Sequence, residues 1–191
     1  MTPEAILQFW LDEFNPSEWY SPSEGLDQKI KDRFQGTLSA ICDGKHGMWL
    51  TYPSGALAYI LVTDQFSRNM YRGTDRAFAT DRLALSAAKQ AIQYGFDLRI
   101  DAPARQFFYM PLMHSENLTD QDRCVRLMHE RLPLEDENNL LHARAHRAII
   151  RQFGRFPTRN AALNRKTSEL EAAYVDQGGY GMTLTQLAKA G

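Results

Sequence analysis

Three polar segments hold the side chains with which this chain could bind or transform a ligand. They read DQFSRNMYRG (64–73), FFYMPLMHSE (107–116) and FGRFPTRN (153–160), and apolar helical patterns surround them. Arginine guanidinium groups bind carboxylate and phosphate groups through paired hydrogen bonds, and histidine exchanges protons near neutral pH. The segments therefore predict a site for an anion, with or without acid/base chemistry.

In the first segment, Asp64 and Arg68 are four residues apart, so on a helix they face the same side and form an ion pair. Arg72 follows four residues later, and Asn69 lies beside Arg68. Two interpretations are open: a structural network at the end of a helix, where the helix dipole favours arginine, or one wall of a ligand site.

The third segment combines a glycine with a rigid Phe156-Pro157 pair, so its backbone cannot be regular. Arg155, Arg159 and Asn160 project from this fixed loop, an arrangement suited to holding a carboxylate or a phosphate. The alternative is that these arginines cap carbonyl groups at helix ends.

Histidines provide the candidates for acid/base chemistry. His114 and Glu116 lie close together in the second segment, and His142 and His146 share one face of a predicted helix. We expect His114 or His146 to act as acid/base in an enzyme, with Asp64 or Glu116 orienting it. There is no HExxH motif, P-loop, GxSxG or GxGxxG, so neither a metal nor a cofactor is predicted.

The candidates form two sets, and we expect residues of all three segments to meet around one pocket. The predicted catalytic residues are His114, Glu116, His146 and Asp64. The predicted ligand-binding residues are Arg68, Asn69, Arg72, Arg105, Tyr109, Arg155, Arg159 and Asn160.

The distribution of charge offers a simpler explanation of the arginines. Residues 138–168 contain no Asp or Glu but seven positive charges. The acids that precede this stretch are Glu116, Asp120, Asp122, Glu130, Glu135, Asp136 and Glu137. An acidic helix packed beside a basic one would satisfy both internally.

Apolar spacing of three and four residues predicts about eight helices and no strands. Thr2-Pro3, Ser23 and the S-x-x-E capping box at Ser168 mark three helix starts, and we expect Thr74 and Thr119 to cap two more. A helix from Pro103 should bend or end at Pro111, and the third helix should end in the 64–73 segment. Gly95 and Gly154 should close the helices that precede them.

These elements predict an all-α fold of stacked antiparallel hairpins, as a superhelix or a bundle. We expect a single domain over residues 1–191, with residues 180–191 as a peripheral tail or a short last helix. A chain of 191 residues is long enough for a substantial core.

The composition and net charge exclude several classes of binding partner. A formal net charge of −1 argues against bulk binding to nucleic acid or to an anionic membrane. The two cysteines are far apart and form no metal-binding motif. No 18-residue apolar run occurs, and from the composition of the first residues we expect no signal peptide. We therefore expect a soluble, cytoplasmic protein whose partner is a small anionic ligand or an acidic peptide.

The segments DQFSRNMYRGTDRAFATD, RQFFYMPLMHSE and HRAIIRQFGRFPTRN resemble the hallmark segments of the bacterial family called domain of unknown function 924. The resemblance extends from the first helix to Ser168. It implies a helical fold similar to tetratricopeptide-like superhelices, with no established activity. Thr158 departs from the family pattern, which has His there, and Asn164 stands where Gly often precedes Arg165. A chemistry that used the missing histidine would be in doubt here.

Three functions are therefore open: a module that binds a small anion or a peptide, a hydrolase or transferase acting on a small anionic substrate, and a structural protein held by arginine–acid networks.

Overall fold

The chain folds into helices and irregular connections. The structure is a computed structural model and describes residues 1–21, 23–133 and 137–190, without the side chain of Glu137. Within these ranges there is no β-strand, so the predicted all-α class is confirmed. The chain divides into two compact units, Met1–Pro111 and Leu112–Gly191. The single domain and the tetratricopeptide-like stacking stay predictions.

The first unit begins with two helices whose starts the sequence predicts. Helix α1 spans Pro3–Leu7 and continues as a π-helical turn, Gln8–Asp12, and the Thr2 side chain accepts a hydrogen bond at its start. Helix α2 spans Glu24–Cys42, with Ser23 as its cap. Such side-chain oxygens satisfy backbone N–H groups that lack a partner within the helix.

Helix α3, Pro53–Ile60, runs on through a π-helical stretch, Leu61–Phe66, into helix α4, Ser67–Met70. The hydroxyl groups of Thr63 and Ser67 donate to carbonyl oxygens four residues earlier, a bond that bends helices. Asp64 and Arg68 lie within this continuous helical segment. It ends at Met70, inside the 64–73 segment in which the third helix was predicted to end.

Helix α5 spans Asp81–Gln93, and Gly95 follows it with a φ of 67°. The prediction that Thr74 caps this helix is wrong. The Thr74 hydroxyl donates to the Tyr71 carbonyl, and a separate 3-10 turn, Asp75–Phe78, intervenes.

Residues Ala104–Phe108 form a 3-10 turn, and a short helix α6 spans Met110–Met113. The prediction that a helix ends at Pro111 is wrong. Pro111 lies in the first turn of α6, where a missing N–H group costs nothing.

An aromatic cluster forms much of the core of the first unit. Phe66 is fully buried and lies 4.8 Å from Phe34 and 5.2 Å from Trp10 between ring centroids. Aromatic contacts such as the edge-on pair of Trp10 and Phe66 add to the free energy gained by burying the rings. The cluster comprises Phe9, Trp10, Phe14, Trp19, Phe34, Phe66 and Phe107.

In the second unit, helix α7 spans Leu118–Arg131 and packs on helix α8, Glu137–Phe153. The cap of α7 is Asn117, whose side chain accepts from the backbone N–H groups of Thr119 and Asp120, so the predicted Thr119 cap is wrong. Gly154 closes α8 with a φ of 70°, as predicted.

Helix α9 spans Glu169–Asp176, and helix α10 spans Gly179–Ala190. Residues 180–190 of the predicted peripheral tail thus form a helix, which packs on α8. Its Tyr180 and Met182 pack against the core residues Ile149, Ile150, Phe156 and Tyr174. None of the helices in the described residues is long and apolar enough to cross a membrane.

The predicted capping box at the start of α9 is confirmed. The Ser168 hydroxyl accepts from the Glu171 backbone N–H group, and the Glu171 carboxylate accepts from that of Ser168. We expect Ser168→Ala to lower the free energy of unfolding by about 1 kcal/mol, because it leaves a helix N–H group without its acceptor. Chemical denaturation measures this, with the exposed Ser86→Ala as control. An equal effect of the two changes would contradict the capping role.

Candidate functional site

In the first unit, Asp64 and Arg68 form the predicted ion pair. Asp64 is buried, and one of its oxygens lies 3.5 Å from Arg68 Nη2. Arg68 Nη1 donates to Asp81 at 2.9 Å and to the Ala77 carbonyl at 2.8 Å. The guanidinium group therefore joins its own helix to the start of α5.

Asn69 and Arg72 share one carboxylate on α2. Arg72 binds Asp27 through Nε at 2.8 Å and Nη2 at 3.0 Å, and Asn69 Nδ2 donates to it at 2.7 Å. Burial alone would raise the pKa of Asp27, but the hydrogen bonds from Arg72 and Asn69 outweigh it and lower that pKa. These two candidates thus hold α4 to α2.

Arg105 and Tyr109 bind the turn that follows α5. Arg105 Nε donates to the Ile100 carbonyl at 2.9 Å, and the hydroxyl group of the fully buried Tyr109 donates to Asp97 at 2.7 Å. Both contacts position the backbone around residues 97–100.

In the second unit, Arg155 is engaged by the capping box of α9. Its Nε and Nη2 donate to the two carboxylate oxygens of Glu171 at 2.6 and 2.8 Å, and Nη2 also donates to the Lys166 carbonyl. The buried Asn160 lies beside this pair and donates to the Thr167 hydroxyl at 3.4 Å. Hydrogen bonds from Arg155, above all, lower the pKa of Glu171.

Glu116 connects the loop after α6 to the loop after α8. Each of its oxygens lies 2.8 Å from one terminal nitrogen of Arg165, and Oε1 also accepts from the Phe156 backbone N–H group at 2.9 Å. Burial raises the pKa of Glu116, whereas the bonds from Arg165 and Phe156 and the charge of Arg159 lower it, and the lowering effects prevail. The carboxylate is therefore a fixed, ionised anchor.

Asn164 explains one departure from the family pattern. It adopts a φ of 52°, a left-handed conformation that glycine enters without strain and asparagine tolerates. This turn places Arg165 against Glu116. Thr158, the other departure, is exposed in the 3-10 turn Pro157–Arg159.

Four side chains meet where these two loops reach α8. Arg159 Nη2 donates to the His114 carbonyl at 2.9 Å, and its guanidinium carbon lies 4.5 Å from the centre of the Phe156 ring. The His146 ring contacts both the Phe156 ring, at 5.4 Å, and the His114 ring, at 6.3 Å. We call His114, His146, Phe156 and Arg159 the histidine–arginine cluster.

The hydrogen bonding of His146 fixes its tautomer. Nδ1 lies 2.8 Å from the His142 carbonyl oxygen, which can only accept, so Nδ1 carries the hydrogen. Burial, followed by the electrostatic effect of His114, lowers the pKa of His146 to about 3, although the hydrogen bond to the His142 carbonyl acts to raise it. At neutral pH the ring is therefore uncharged, with an unprotonated Nε2.

Tyr180 supports the same ring from α10. Its ring meets that of His146 edge-on at 4.9 Å, and its hydroxyl group forms a short hydrogen bond with His142 Nδ1. His142 and His146 thus share one face of α8, as predicted, and Tyr180 contacts both.

The structure gathers some of the predicted residues and assigns others to separate networks. His114, Glu116, His146 and Arg159 lie together in the second unit, and Arg155 and Asn160 belong to the adjoining Glu171 network. Asp64, Arg68, Asn69, Arg72, Arg105 and Tyr109 belong to the first unit. Within the described residues, no three His, Cys, Asp or Glu side chains are placed to hold a metal ion.

The sequence reasoning missed Phe156 as a shared ring, Arg165 as the partner of Glu116, and Tyr180. Arg165 was within the basic stretch, but nothing in the pattern paired it with Glu116. The expected pairing of acidic and basic helices is present at Asp122, which lies 3.4 Å from Arg147 and 3.2 Å from Arg151. Glu135 and Asp136 lie outside the described residues.

Comparison with known proteins agrees with this architecture. The chain is similar to a protein of unknown function from Agrobacterium tumefaciens, whose solved structure superposes with a TM-score of 0.85 at 35% identity. The match covers 92% of this chain and 97% of that one. A search of curated proteins found no match. A family model described as "Bacterial protein of unknown function (DUF924)" matches residues 6–179. The resemblance carried by the three segments is thereby confirmed, and the chain belongs to this family, domain of unknown function 924.

Proposed function

We propose that this protein binds a small anion, through a carboxylate or phosphate group, at the histidine–arginine cluster. The proposal rests on one observation: within one unit, each member of the cluster contacts two of the others. The contacts are His114 with His146, His146 with Phe156, Phe156 with Arg159, and Arg159 with the His114 carbonyl. A guanidinium group held in a fixed position binds carboxylate and phosphate oxygens through charge-assisted hydrogen bonds.

The electrostatics at His146 support the same proposal. Apart from burial, electrostatic interactions with His114, His142 and the Arg159 guanidinium group lower the pKa of His146. A site where positive charge already disfavours a further proton is one where an anion gains free energy. Arg165 binds both oxygens of Glu116, which offsets part of the negative charge that Glu116 places near Arg159.

Binding fits the geometry better than acid/base catalysis by His146. An imidazole whose pKa is about 3 is a weak base at neutral pH, and a general base works best when its pKa is near the working pH. In the alternative of a hydrolase or transferase, His114 would therefore have to carry the proton. The purely structural interpretation suits Arg68, Arg72, Arg155 and Arg165, each of which binds a carboxylate of the same unit.

Replacement of Arg159 tests the proposal directly. We expect the wild-type chain to bind inorganic phosphate and Arg159→Gln to bind it at least about tenfold more weakly, because a charge-assisted hydrogen bond is lost. Isothermal titration calorimetry at constant ionic strength measures both affinities. Arg151→Gln is the matched control, since Arg151 is exposed on α8 and pairs with Asp122.

Two results would contradict the proposal. Either phosphate and small carboxylates all fail to bind the wild-type chain, or Arg159→Gln binds them as well as Arg151→Gln does. Circular dichroism of each variant verifies that the loss of affinity is not a loss of fold, because Arg159 also donates to the His114 carbonyl.

A further inference from the structure

The tautomer of His146 constrains the chemistry of the anion. Nδ1 donates to a backbone carbonyl and so holds the ring hydrogen. No residue in the described parts of the chain forms a hydrogen bond with Nε2, and the side chain is partly exposed. Nε2 therefore presents a lone pair, which can accept a hydrogen bond but cannot donate one.

An acceptor beside a cation distinguishes among anions. Arg159 and His146 contact the same Phe156 ring, Arg159 through its guanidinium group and His146 through a T-shaped contact of the two rings. An oxyanion held by Arg159 would turn lone pairs toward Nε2 unless it also carried an O–H or N–H group. Two lone pairs that face each other in a desolvated site repel, and an acceptor left without a donor costs free energy.

From this arrangement we infer that the ligand is an anion with a hydrogen-bond donor beside its charge, such as a hydrogenphosphate, a phosphate monoester in its monoanionic form or a 2-hydroxycarboxylate. Arg159 binds the charged oxygens, and His146 Nε2 accepts from the adjacent donor. The inference rests on the proposed function and adds the class of ligand to it.

Neighbouring groups keep Nε2 in this role. The His142 carbonyl holds the hydrogen on Nδ1, and Tyr180 packs its ring edge-on against the imidazole. The positive charge of Arg159 disfavours a second proton on the ring, and so does His114. His146 Nε2 is thus a hydrogen-bond acceptor at neutral pH.

Pairs of anions that differ mainly in the donor test the inference. Phosphate keeps at least one O–H group at neutral pH, whereas sulfate has the same tetrahedral shape and none. Glycolate and acetate differ in the same way among carboxylates. We expect the wild-type chain to bind phosphate about tenfold or more tightly than sulfate, and glycolate more tightly than acetate, by calorimetry at fixed ionic strength.

The variant His146→Phe keeps an aromatic ring beside Phe156 and Tyr180 but has no acceptor. In this variant the preference within each pair should disappear, with phosphate falling to the affinity of sulfate. The comparison of anions on the wild-type chain does not depend on how well the variant folds.

The outcomes separate the two proposals. If the wild-type chain binds all four anions equally well, or prefers sulfate and acetate, the donor inference is wrong and the anion site stands. If it binds none of the four, the proposed function fails and the inference fails with it. If the preference exists but persists in His146→Phe, another acceptor selects the ligand and the assignment to His146 is overturned.

Discussion

Acidification from pH 6.5 to pH 3 should lower the free energy of unfolding by about 4 kcal/mol through His146 alone. The pKa of His146 is lowered to about 3 in the folded chain, from an ordinary value of 6.5. Between these two values the unfolded chain binds a proton at this position and the folded chain does not. Stability therefore falls as pH decreases through this window and is unaffected by His146 above it.

Urea unfolding across this pH range, in wild-type and His146→Phe chains, isolates the contribution. All other titrating groups act on both chains, so the difference between their unfolding free energies should change by about 4 kcal/mol in favour of the variant at low pH. His129→Gln is the control for the loss of a histidine, because His129 is exposed near the end of α7. Parallel curves for His146→Phe would mean that His146 is charged or exposed.

The change Glu116→Gln should destabilise the chain by about 2 kcal/mol or more. It leaves the partly buried Arg165 without the carboxylate that binds both of its terminal nitrogens. Removal of one partner of a buried or half-buried pair costs more than the pair itself contributes, since the remaining charge stays desolvated. Glutamine keeps a carbonyl oxygen for the Phe156 N–H group, so the change reports mainly on the charge.

The matched control for this variant is Asp122→Asn. Asp122 also binds arginines, but its side chain is 47% exposed, against 22% for Glu116, so its loss should cost no more than about 0.5–1 kcal/mol. Chemical denaturation compares the two. Equal effects of the two changes would show that Glu116 is an ordinary surface group and does not anchor the two loops.

The sequence predicted a helix start correctly where only one nearby side chain could cap the helix. Ser23 and Ser168 cap their helices because each lies directly before an apolar helical pattern. The prediction of a Thr119 cap was wrong because Asn117, two residues earlier, is a stronger cap and accepts from two backbone N–H groups. The prediction of a Thr74 cap was wrong because the Thr74 hydroxyl donates to the Tyr71 carbonyl in the preceding turn. That hydrogen bond depends on backbone geometry, which the composition does not reveal.

The site was harder to predict, because arginines bind whatever carboxylate the fold brings to them. Arg72 binds Asp27, 45 residues away along the chain, and Arg165 binds Glu116 at a separation of 49. Spacing within a helix predicts only near pairs, such as Asp64 and Arg68. The role of Tyr180 was not predicted for the same reason, since its contacts with His142 and His146 form only when α10 packs on α8.

The turn at Asn164 constrains the loop that carries Phe156 and Arg159. Where the pattern has Gly before the arginine at 165, this chain has Asn164 in the left-handed conformation that explains the preference. The turn orients Arg165 toward Glu116, which in turn accepts from the Phe156 backbone. The loop that carries Phe156 and Arg159 is thus fixed before any ligand arrives, and such preorganisation favours binding.

A phosphate titration followed by NMR of the histidine rings tests the central claim most directly. The His114 and His146 signals, assigned by comparison with His146→Phe, should shift saturably as phosphate binds beside the two rings. His129 should not respond. Rings of His114 and His146 whose signals do not shift on addition of phosphate would contradict an anion site at the histidine–arginine cluster.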